Sequence, residues 1–274
     1  MNPTGIGWLW SMTYPLRLYI RFSPWGRGKR FLTQRIIRHA LPSHGSFRVP
    51  LPGGARVELR FDETLGLATL IEGLFEEAEL KWLYARGGVG GVMVDVGANT
   101  GLYTCALAHA PGTREVWAFE PLPENLNRLR EGIRSNEIRN AKVFDCALGQ
   151  QDGIAQLLMA EDGAYCSLIE VREGKSTGRS MPVAVRALDE VWREQGSPRI
   201  TTIKIDVEGL EHEVLKGAQE VLKVYRPLLL LEANSSENHE RLVEFLGPLG
   251  YASSQPAGFK QWNYLFISER QHAR

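Results

Sequence analysis

Cysteine is scarce in this sequence. The 274 residues include only Cys105, Cys146 and Cys166, which lie far apart and form no CxxC pair. An odd number of cysteines at this spacing argues against a disulfide framework and against a structural zinc site. We therefore expect a cytoplasmic protein in which the three cysteines are small core or near-core residues rather than nucleophiles.

Long hydrophobic runs are also missing. No segment approaches the roughly 20 apolar residues that span a bilayer. The uncharged stretch 5–16 precedes the basic residues instead of following them, which is the reverse of the order in a secretory signal. Hydrophobic residues still make up 43% of the chain and charged residues 23%. This composition predicts a globular protein with a sizeable core, and it argues against a disordered or fibrous chain.

Acidic residues are absent from the first 57 positions, which contain nine Arg and Lys, although the net charge of the whole chain is zero. We interpret residues 1–45 as a basic and aromatic arm with a helix. Three interpretations stay open: packing on the main domain or on a second subunit, peripheral contact with the inner membrane surface, or contact with an acidic substrate or nucleic acid. No nucleic-acid-binding module accompanies the charge, so we do not expect a nucleic-acid partner.

The rest of the chain divides into two parts. Residues 46–90 predict a hairpin over 47–61 and a helix over 65–86, which together form an N-terminal subdomain. In residues 91–274, short apolar runs alternate with helical patterns, as is typical of a parallel sheet covered on both faces. Two closing strands add an antiparallel edge. We expect one doubly wound α/β domain with an N-terminal extension.

Two connections within this domain carry further expectations. Residues 210–224 predict a single helix after the fourth strand of the sheet. The segment from Gly149 to Met181 is long for a connection between a strand and the next strand–helix unit. We expect this segment to form a hairpin with a loop beside the pocket.

A glycine-rich turn is the most informative stretch. It follows a predicted strand and reads D-x-G-x-N-x-G, with Asp95, Gly97, Asn99 and Gly101 at the fixed positions. The GxGxxG spacing of dinucleotide-binding proteins is missing, and a carboxylate at the strand tip would repel a phosphate. We expect the two glycines to allow a close approach of the backbone to a ligand. Asp95 would accept hydrogen bonds from a cationic amino group, with Asn99 assisting.

Two more acids follow at the ends of the next two strands. Glu120 is placed to accept hydrogen bonds from both hydroxyls of a ribose, and Asp145 to accept one from an adenine amino group. Three acids at three consecutive strand ends suit a ligand with an ammonium, a ribose and an adenine but no phosphate. S-adenosylmethionine, with S-adenosylhomocysteine as its product, has these groups.

The sequence resembles the FkbM-type S-adenosylmethionine-dependent methyltransferases. The resemblance lies in DVGANTG, AFEPLPENLNRL, DCALG and IKIDVEGLEHEVLKGA followed by RPLLLLEA, and KIDVEG-x-E is its most specific part. It implies the class I, Rossmann-like methyltransferase fold, with a seven-stranded sheet, and O-methylation of a hydroxyl on a sugar, a glycan or a natural product. It also assigns Asp95, Gly97, Asn99, Gly101 and Glu120 to the cofactor motifs; Asp145 is outside the fixed part of the pattern.

Candidate catalytic residues cluster after the fourth strand of the sheet. Asp206 is the first candidate, as the base or as the group that orients the acceptor, and Glu208 is the second. Lys204 either takes part or neutralises the acids around it. Asp206, Glu208 and Glu232 would be the ligands of a divalent metal ion, but no His pair or DxD cluster strengthens such a site, so we expect no metal.

The acceptor and the reaction type stay open at this point. N- or C-methylation is the near alternative to O-methylation, because the cofactor site does not report which atom receives the methyl group. A methyltransferase-fold module that binds without catalysis is a second alternative. A nucleotide-dependent dehydrogenase is disfavoured by the missing GxGxxG spacing.

Overall fold

A computed structural model of the chain describes residues 45–61, 63–87, 90–159, 166–169 and 180–268. The arm predicted over residues 1–45 lies outside these ranges except for Gly45, so its three interpretations remain predictions. Among the described residues, no helix combines the length and the apolar character required to cross a bilayer.

The described residues form thirteen strands and eight α-helices. The strands are β1 Ser46–Pro50, β2 Arg56–Arg60, β3 Val92–Val96, β4 Glu115–Phe119, β5 Ala141–Phe144, β6 Ala147–Leu148, β7 Gly153–Met159, β8 Cys166–Ile169, β9 Ser180–Arg186, β10 Ile200–Ile205, β11 Leu228–Glu232, β12 Tyr251–Ser254 and β13 Asn263–Ser268. The helices are α1 Thr64–Glu72, α2 Glu77–Arg86, α3 Leu102–Leu107, α4 Pro123–Ser135, α5 Leu188–Glu194, α6 Glu211–Lys216, α7 Gln219–Tyr225 and α8 Ser236–Leu246.

The chain separates into two compact units, and the first contains the described residues of 45–49 and 58–77. Strands β1 and β2 form a two-stranded sheet, which confirms the predicted hairpin. The rings of Phe47 and Phe61 stack with their centroids 5.2 Å apart. The backbone N–H of Phe61 donates to the carbonyl oxygen of Gly45, so the base of the hairpin is closed.

The second unit contains a seven-stranded sheet in the order β12-β13-β11-β10-β3-β4-β5. Strands β11, β10, β3, β4 and β5 pair in parallel, whereas β13 is antiparallel to both β11 and β12. The predicted mostly parallel sheet with an antiparallel edge is therefore confirmed. The reversed strand is β13, the second strand from the edge.

Side chains of this sheet pack into cores on both faces. Trp117 and Phe119 of β4 belong to a large cluster that includes residues of α5, α6, α7 and α8. Ala118, between them, belongs to a smaller cluster with Leu129 of α4. Alternate residues of a strand point to opposite faces, so helices cover both faces of the sheet. This is the doubly wound arrangement that the apolar strands predict.

Two long helices predicted from the sequence are each interrupted in the structure. The helix predicted over 65–86 is two helices, α1 and α2, with Gly73 between them at a φ of +103°. The helix predicted over 210–224 is also two, α6 and α7, broken at Gly217 and Ala218. Asp189 explains where α7 starts, because its carboxylate accepts the backbone N–H groups of Glu220 and Val221 at 2.9 and 3.0 Å.

The segment after β5 contributes the predicted hairpin to a second sheet. This four-stranded sheet has the order β6-β9-β7-β8 among the described residues. The loop expected beside the pocket falls on residues 160–165 and 170–179, outside the described ranges. Strands β7 and β8 are the predicted antiparallel hairpin, and β9 pairs with β7 on its other side. The hairpin prediction is therefore confirmed, and the extra pairing to β9 and β6 was missed because it joins distant segments.

Candidate active site

The glycine-rich loop after β3 lies directly against the end of β10. Gly97, Asn99 and Gly101 all have positive φ, at +73°, +50° and +93°. The N–H groups of Gly97 and Ala98 both donate to the carbonyl oxygen of Phe119 at 3.0 Å. A Cβ atom on Gly97 would lie 2.0 Å from the carbonyl oxygen of Asp206. The close approach expected for this glycine is thus made to the backbone of the neighbouring strand.

Asp95 lies beneath the loop and is completely buried. Its Oδ2 accepts a 2.6 Å hydrogen bond from the Thr104 hydroxyl of α3. Its Oδ1 lies 3.7 Å from Lys204 Nζ and accepts no hydrogen bond from the described part of the chain. Burial raises the pKa of Asp95, while the Lys204 ammonium opposes that rise. Asp95 therefore links β3 to α3 through Thr104, and its Oδ1 is left for a further donor.

Glu120 connects the loop to the end of β4. Its Oε2 accepts the backbone N–H of Asn99 at 2.8 Å and its Oε1 that of Leu122 at 2.9 Å. The side chain is buried, and burial raises the pKa of Glu120 although the two N–H groups lower it. Asn125 Nδ2 also donates to Oε1, at 3.4 Å. Because each oxygen of an ionised carboxylate can accept about two hydrogen bonds, Oε2 is the oxygen that can still accept from a ligand hydroxyl. Asp145 follows β5 and is exposed, at the third of three consecutive strand ends.

Lys204 lies between the acids of two neighbouring strands. It is the register partner of Asp95, and its side chain is 6% exposed. Its ammonium donates to the carbonyl oxygen of Gly97 at 3.2 Å and to Asp206 Oδ2 at 3.3 Å. It also lies 5.2 Å from the ring centroid of Tyr103. Lys204 thus links the glycine loop to Asp206 and offsets the charge of both carboxylates.

Three carboxylates meet at the ends of β10 and β11. Oxygen atoms of Asp206, Glu208 and Glu232 lie within 4.8 Å of one another. Burial opposes ionisation of Asp206, but the Lys204 ammonium and a hydrogen bond from the Glu232 carboxyl lower its pKa overall. Burial, together with the charges of Asp206 and Glu211, raises the pKa of Glu208 to about 7. One carboxylate of the group is therefore held ionised at neutral pH and another is close to its midpoint.

These three carboxylates are also the residues that could hold a metal ion. Carboxylate oxygens are the ligands that Mg²⁺ and Ca²⁺ prefer. The group has the composition that the sequence suggested for a shared metal. Lys204 already donates to one of its members, so the negative charge of the cluster is partly balanced without an ion.

The sequence interpretation missed the residue that orients Asp95. Thr104 is fully buried in α3, a helix whose six residues are all buried. A hydroxyl at a buried position needs a hydrogen-bond partner, and Asp95 is that partner. The signal in the sequence was a lone Thr within the apolar run that follows Gly101.

The groups around the loop suit S-adenosylmethionine better than a nucleotide with phosphates. Asp95 Oδ1 and Thr100 Oγ1 are buried atoms that lack a hydrogen-bond partner among the described residues. Glu120 and Asp145 add carboxylate acceptors at the next two strand ends, which suit hydroxyl and amino donors. The three carboxylates of Asp95, Glu120 and Asp145 would repel a pyrophosphate. The residues present therefore fit a cationic ligand that carries a ribose.

Several known methyltransferases are similar to this chain. Residues 95–260 match the family model described as the methyltransferase FkbM domain. The 31-O-demethyl-FK506 methyltransferase FkbM of Streptomyces tacrolimicus is 28% identical over 180 residues, which cover 54% of this chain and 68% of that protein. The hexuronic acid methyltransferase AglP of Haloferax volcanii is 28% identical over 169 residues, 60% of this chain and 61% of that protein. Three further curated relatives are matched over 10%, 60% and 57% of their own lengths.

A solved structure supports the fold. The crystal structure of a methyltransferase FkbM from Methylobacillus flagellatus KT superposes with a TM-score of 0.50 and 22% sequence identity. The superposition covers 66% of this chain and 44% of that chain. The sheet order, the glycine loop and this superposition are those of the class I methyltransferase fold. Because the family model spans more than half of its residues, this chain belongs to the FkbM methyltransferase family.

Proposed function

We propose that this protein is an S-adenosylmethionine-dependent methyltransferase that methylates a hydroxyl on a sugar, a glycan or a natural-product small molecule. Two relatives support this acceptor class, since their names refer to FK506 and to a hexuronic acid. N- or C-methylation remains the alternative. The groups described on the acceptor side are carboxylates, and they do not specify which atom of the acceptor receives the methyl group.

One observation carries the proposal. The glycine loop that would hold the cofactor touches the backbone of Asp206, whose N–H donates to the carbonyl oxygen of Val96 at 3.2 Å. The cofactor loop and the first candidate catalytic carboxylate are therefore adjacent. Alignment of donor and acceptor is the main requirement for a displacement reaction and can supply about 7–11 kcal/mol of the barrier.

The residues that would hold the cofactor lie at the carboxyl ends of β3, β4 and β5. S-adenosylmethionine, when bound, supplies an electrophilic methyl group attached to a sulfonium. Glu120 would accept hydrogen bonds from ribose hydroxyls, and Asp95 Oδ1 would take a donor from the amino acid end. The remaining assigned positions are Gly97, Asn99, Gly101 and Asp145.

Asp206 would orient or deprotonate the acceptor hydroxyl. Its lowered pKa keeps the carboxylate ionised at neutral pH, so it can accept a hydrogen bond from a hydroxyl group. Glu208 is near enough to receive a second hydroxyl of the same acceptor. Lys204 would hold Asp206 in place through its 3.3 Å contact.

Calorimetry with S-adenosylhomocysteine and with NAD tests the cofactor assignment. We expect the full-length protein to bind S-adenosylhomocysteine and not NAD; the reverse result would contradict the proposal. A methyl-transfer screen with labelled S-adenosylmethionine, against extracts separated into lipid, glycan and small-molecule pools, then identifies the acceptor class. Running the screen with and without EDTA decides whether Asp206, Glu208 and Glu232 act with a divalent ion.

Asp206→Asn should retain cofactor binding and lose most of its turnover, because an amide cannot take a proton and orients a hydroxyl less strongly. By analogy with removal of a general base, we expect a loss of about 10²–10⁴-fold in kcat. Asp152→Asn is the control, since Asp152 lies outside the carboxylate group: it pairs with Arg186 and accepts the backbone N–H of Ala187. Full activity of Asp206→Asn would clear Asp206 of any role in the reaction.

A further inference from the structure

The most specific motif of the sequence, KIDVEG-x-E, contains one acid to which the proposed reaction gives no role. This acid is Glu211, the first residue of α6, and it is 2% exposed. Its Oε1 accepts the backbone N–H of Val207 at 3.2 Å and that of Gly209 at 3.1 Å. A single oxygen atom therefore accepts the backbone N–H groups of the residues before and after Glu208.

The segment that Glu211 holds has an unfavourable backbone conformation. Glu208 has a φ of +55° and Gly209 a φ of +99°. The left-handed region is disfavoured for a residue with a Cβ atom, so Glu208 keeps this conformation only if its surroundings impose it. The two hydrogen bonds to Glu211 provide that constraint, and they also satisfy two donors that the turn leaves without a strand or helix partner.

The constrained residue belongs to the carboxylate group described above. Its side chain is brought within 4.8 Å of Asp206 and Glu232, at the ends of two parallel strands. Glu208 lies on the turn beyond the end of β10, so its position depends on the turn and not on the sheet. A change in the turn would therefore move Glu208 relative to Asp206.

We propose that Glu211 is a positioning residue, which fixes the Glu208 carboxylate beside Asp206 on the acceptor side of the site by holding the amides of Val207 and Gly209. The role of Glu208 toward an acceptor rests on the proposed function. The constraint that Glu211 places on the turn, through its two hydrogen bonds, does not depend on that function. Glu211 acts through the backbone of the turn and need not touch the acceptor or the cofactor.

A matched control exists in the same unit. Asp189 is a buried carboxylate, 8% exposed, that also accepts two backbone N–H groups, those of Glu220 and Val221. It holds the start of α7 instead of the turn after β10. Substituting Asp189 or Glu211 by Ala removes the same number and kind of hydrogen bonds, so a general loss of stability affects both variants.

The test compares Glu211→Ala, Glu211→Gln and Asp189→Ala in the full-length protein. Amide hydrogen exchange, followed by NMR, reports on the turn without any acceptor. We expect the amides of Val207 and Gly209 to exchange at least about tenfold faster in Glu211→Ala. We expect near wild-type rates in Glu211→Gln, whose side-chain oxygen can still accept, and in Asp189→Ala.

Methyl transfer is then measured with the extract pool that accepts label from S-adenosylmethionine. Glu211→Ala should lose at least about tenfold in kcat/KM for that pool while its affinity for S-adenosylhomocysteine changes by less than about twofold. Glu211→Gln should recover the activity, and Asp189→Ala should stay near wild type. If Glu211→Ala does not fold, Glu211→Asp replaces it, because the shorter side chain loses the same contacts.

Two results would overturn the inference. One is an equal loss of activity in Asp189→Ala and Glu211→Ala; the other is unchanged exchange of the Val207 and Gly209 amides in Glu211→Ala. Failure of the wild-type protein to bind S-adenosylhomocysteine would instead contradict the proposed function. The hydrogen-exchange experiment would still show whether Glu211 constrains the turn at Val207 and Gly209.

Discussion

At the scale of single residues, the carboxylates of the site differ by what surrounds them. Glu120 and Glu211 each accept two backbone N–H groups, so their role is to hold loops. Asp95 and Asp206 are both close to Lys204, which offsets their charge. Burial, together with the like charges of Asp206 and Glu211, raises the pKa of Glu208 to about 7. The surroundings of the carboxylates thus fall into three kinds, which differ in the hydrogen-bond donors, the neighbouring charges and the burial of each group.

Glu120→Ala should weaken binding of S-adenosylhomocysteine by about 1.5–3 kcal/mol, the usual contribution of hydrogen bonds to a charged group. Part of this loss comes from the ligand hydroxyls, and part from the N–H of Asn99, which loses its acceptor. Calorimetry measures the change. Glu120→Gln is the control that keeps one acceptor oxygen, and an unchanged affinity of Glu120→Ala would contradict the ribose assignment.

Cys105 and Cys146 should be unreactive in the folded protein. Cys105 is fully buried, and burial with the nearby charge of Asp95 raises its pKa to about 12. Burial raises the pKa of Cys146 to about 11. Both stay thiols at pH 8, and the thiolate is the reactive form. In a Cys166→Ser variant, labelling with a disulfide reagent should be slow in buffer and fast in guanidinium; rapid labelling of the native protein would contradict the assigned burial.

At the scale of secondary-structure elements, the site depends on the loops that connect two strands to the helices after them. The glycine loop joins β3 to α3, and the turn at Glu208 joins β10 to α6. Both contain residues with positive φ next to a buried carboxylate that accepts backbone N–H groups. Each loop is thereby held in place by a hydrogen-bonding side chain as well as by its own conformation.

Gly97→Ala should destabilise the protein and abolish cofactor binding. Its φ of +73° costs a residue with a Cβ about 1–2 kcal/mol, and the new methyl group would also meet the carbonyl oxygen of Asp206 at 2.0 Å. Gly90→Ala is the matched control, because Gly90 has a φ of +76° and no described atom within 4 Å of an added Cβ. Thermal unfolding and S-adenosylhomocysteine calorimetry on both variants separate the collision from the backbone strain.

At the scale of the whole molecule, several acids are buried at a cost. Burial is the largest cause of the raised pKa of Asp95, Glu120, Asp189 and Glu211. In each case hydrogen bonds from the chain oppose the rise without cancelling it. Burying these carboxylates beside the loops that they contact therefore lowers the free energy of unfolding.

This burial predicts a pH dependence of stability. A carboxyl whose folded pKa is raised binds its proton more tightly in the native state, so its contribution to stability is complete below the unfolded pKa, near 4, and is lost as the pH rises through the folded pKa. Asp206, Glu220 and His212, whose pKa values are lowered, act in the opposite direction. Because the raised group is larger, the free energy of unfolding should fall between about pH 4 and pH 7.

Urea unfolding at a series of pH values measures this slope. Asp189→Asn removes one of the raised carboxyls at a distance from the candidate active site and should make the slope shallower. A free energy of unfolding that rises steadily from pH 4 to pH 7 in the wild-type protein would show that the buried acids do not dominate.

Much of the fold and part of the site could be predicted from the amino-acid sequence. The apolar runs of β3, β10 and β11 predict buried parallel strands, because both faces of such strands are covered. The breaks at Gly73 and Gly217 were not predicted. Gly73 ends α1 with a φ of +103° and has no described atom within 4 Å of an added Cβ, whereas Gly217 lies against the distant backbone of Gly149. Neither the backbone conformation nor the distant neighbour can be read from the helical pattern of the sequence.

The class of the fold, the position of the glycine loop and the set of acids near it follow from the amino-acid sequence alone, because periodicity, glycine positions and strand ends are local properties of the chain. Only the tertiary structure decided which acid does what. The ammonium of Lys204 reaches the carbonyl oxygen of Gly97 across 107 positions in the chain, and the same side chain joins Asp95 to Asp206. Charge and burial depend on such distant neighbours, so the roles of the carboxylates follow from the folded molecule.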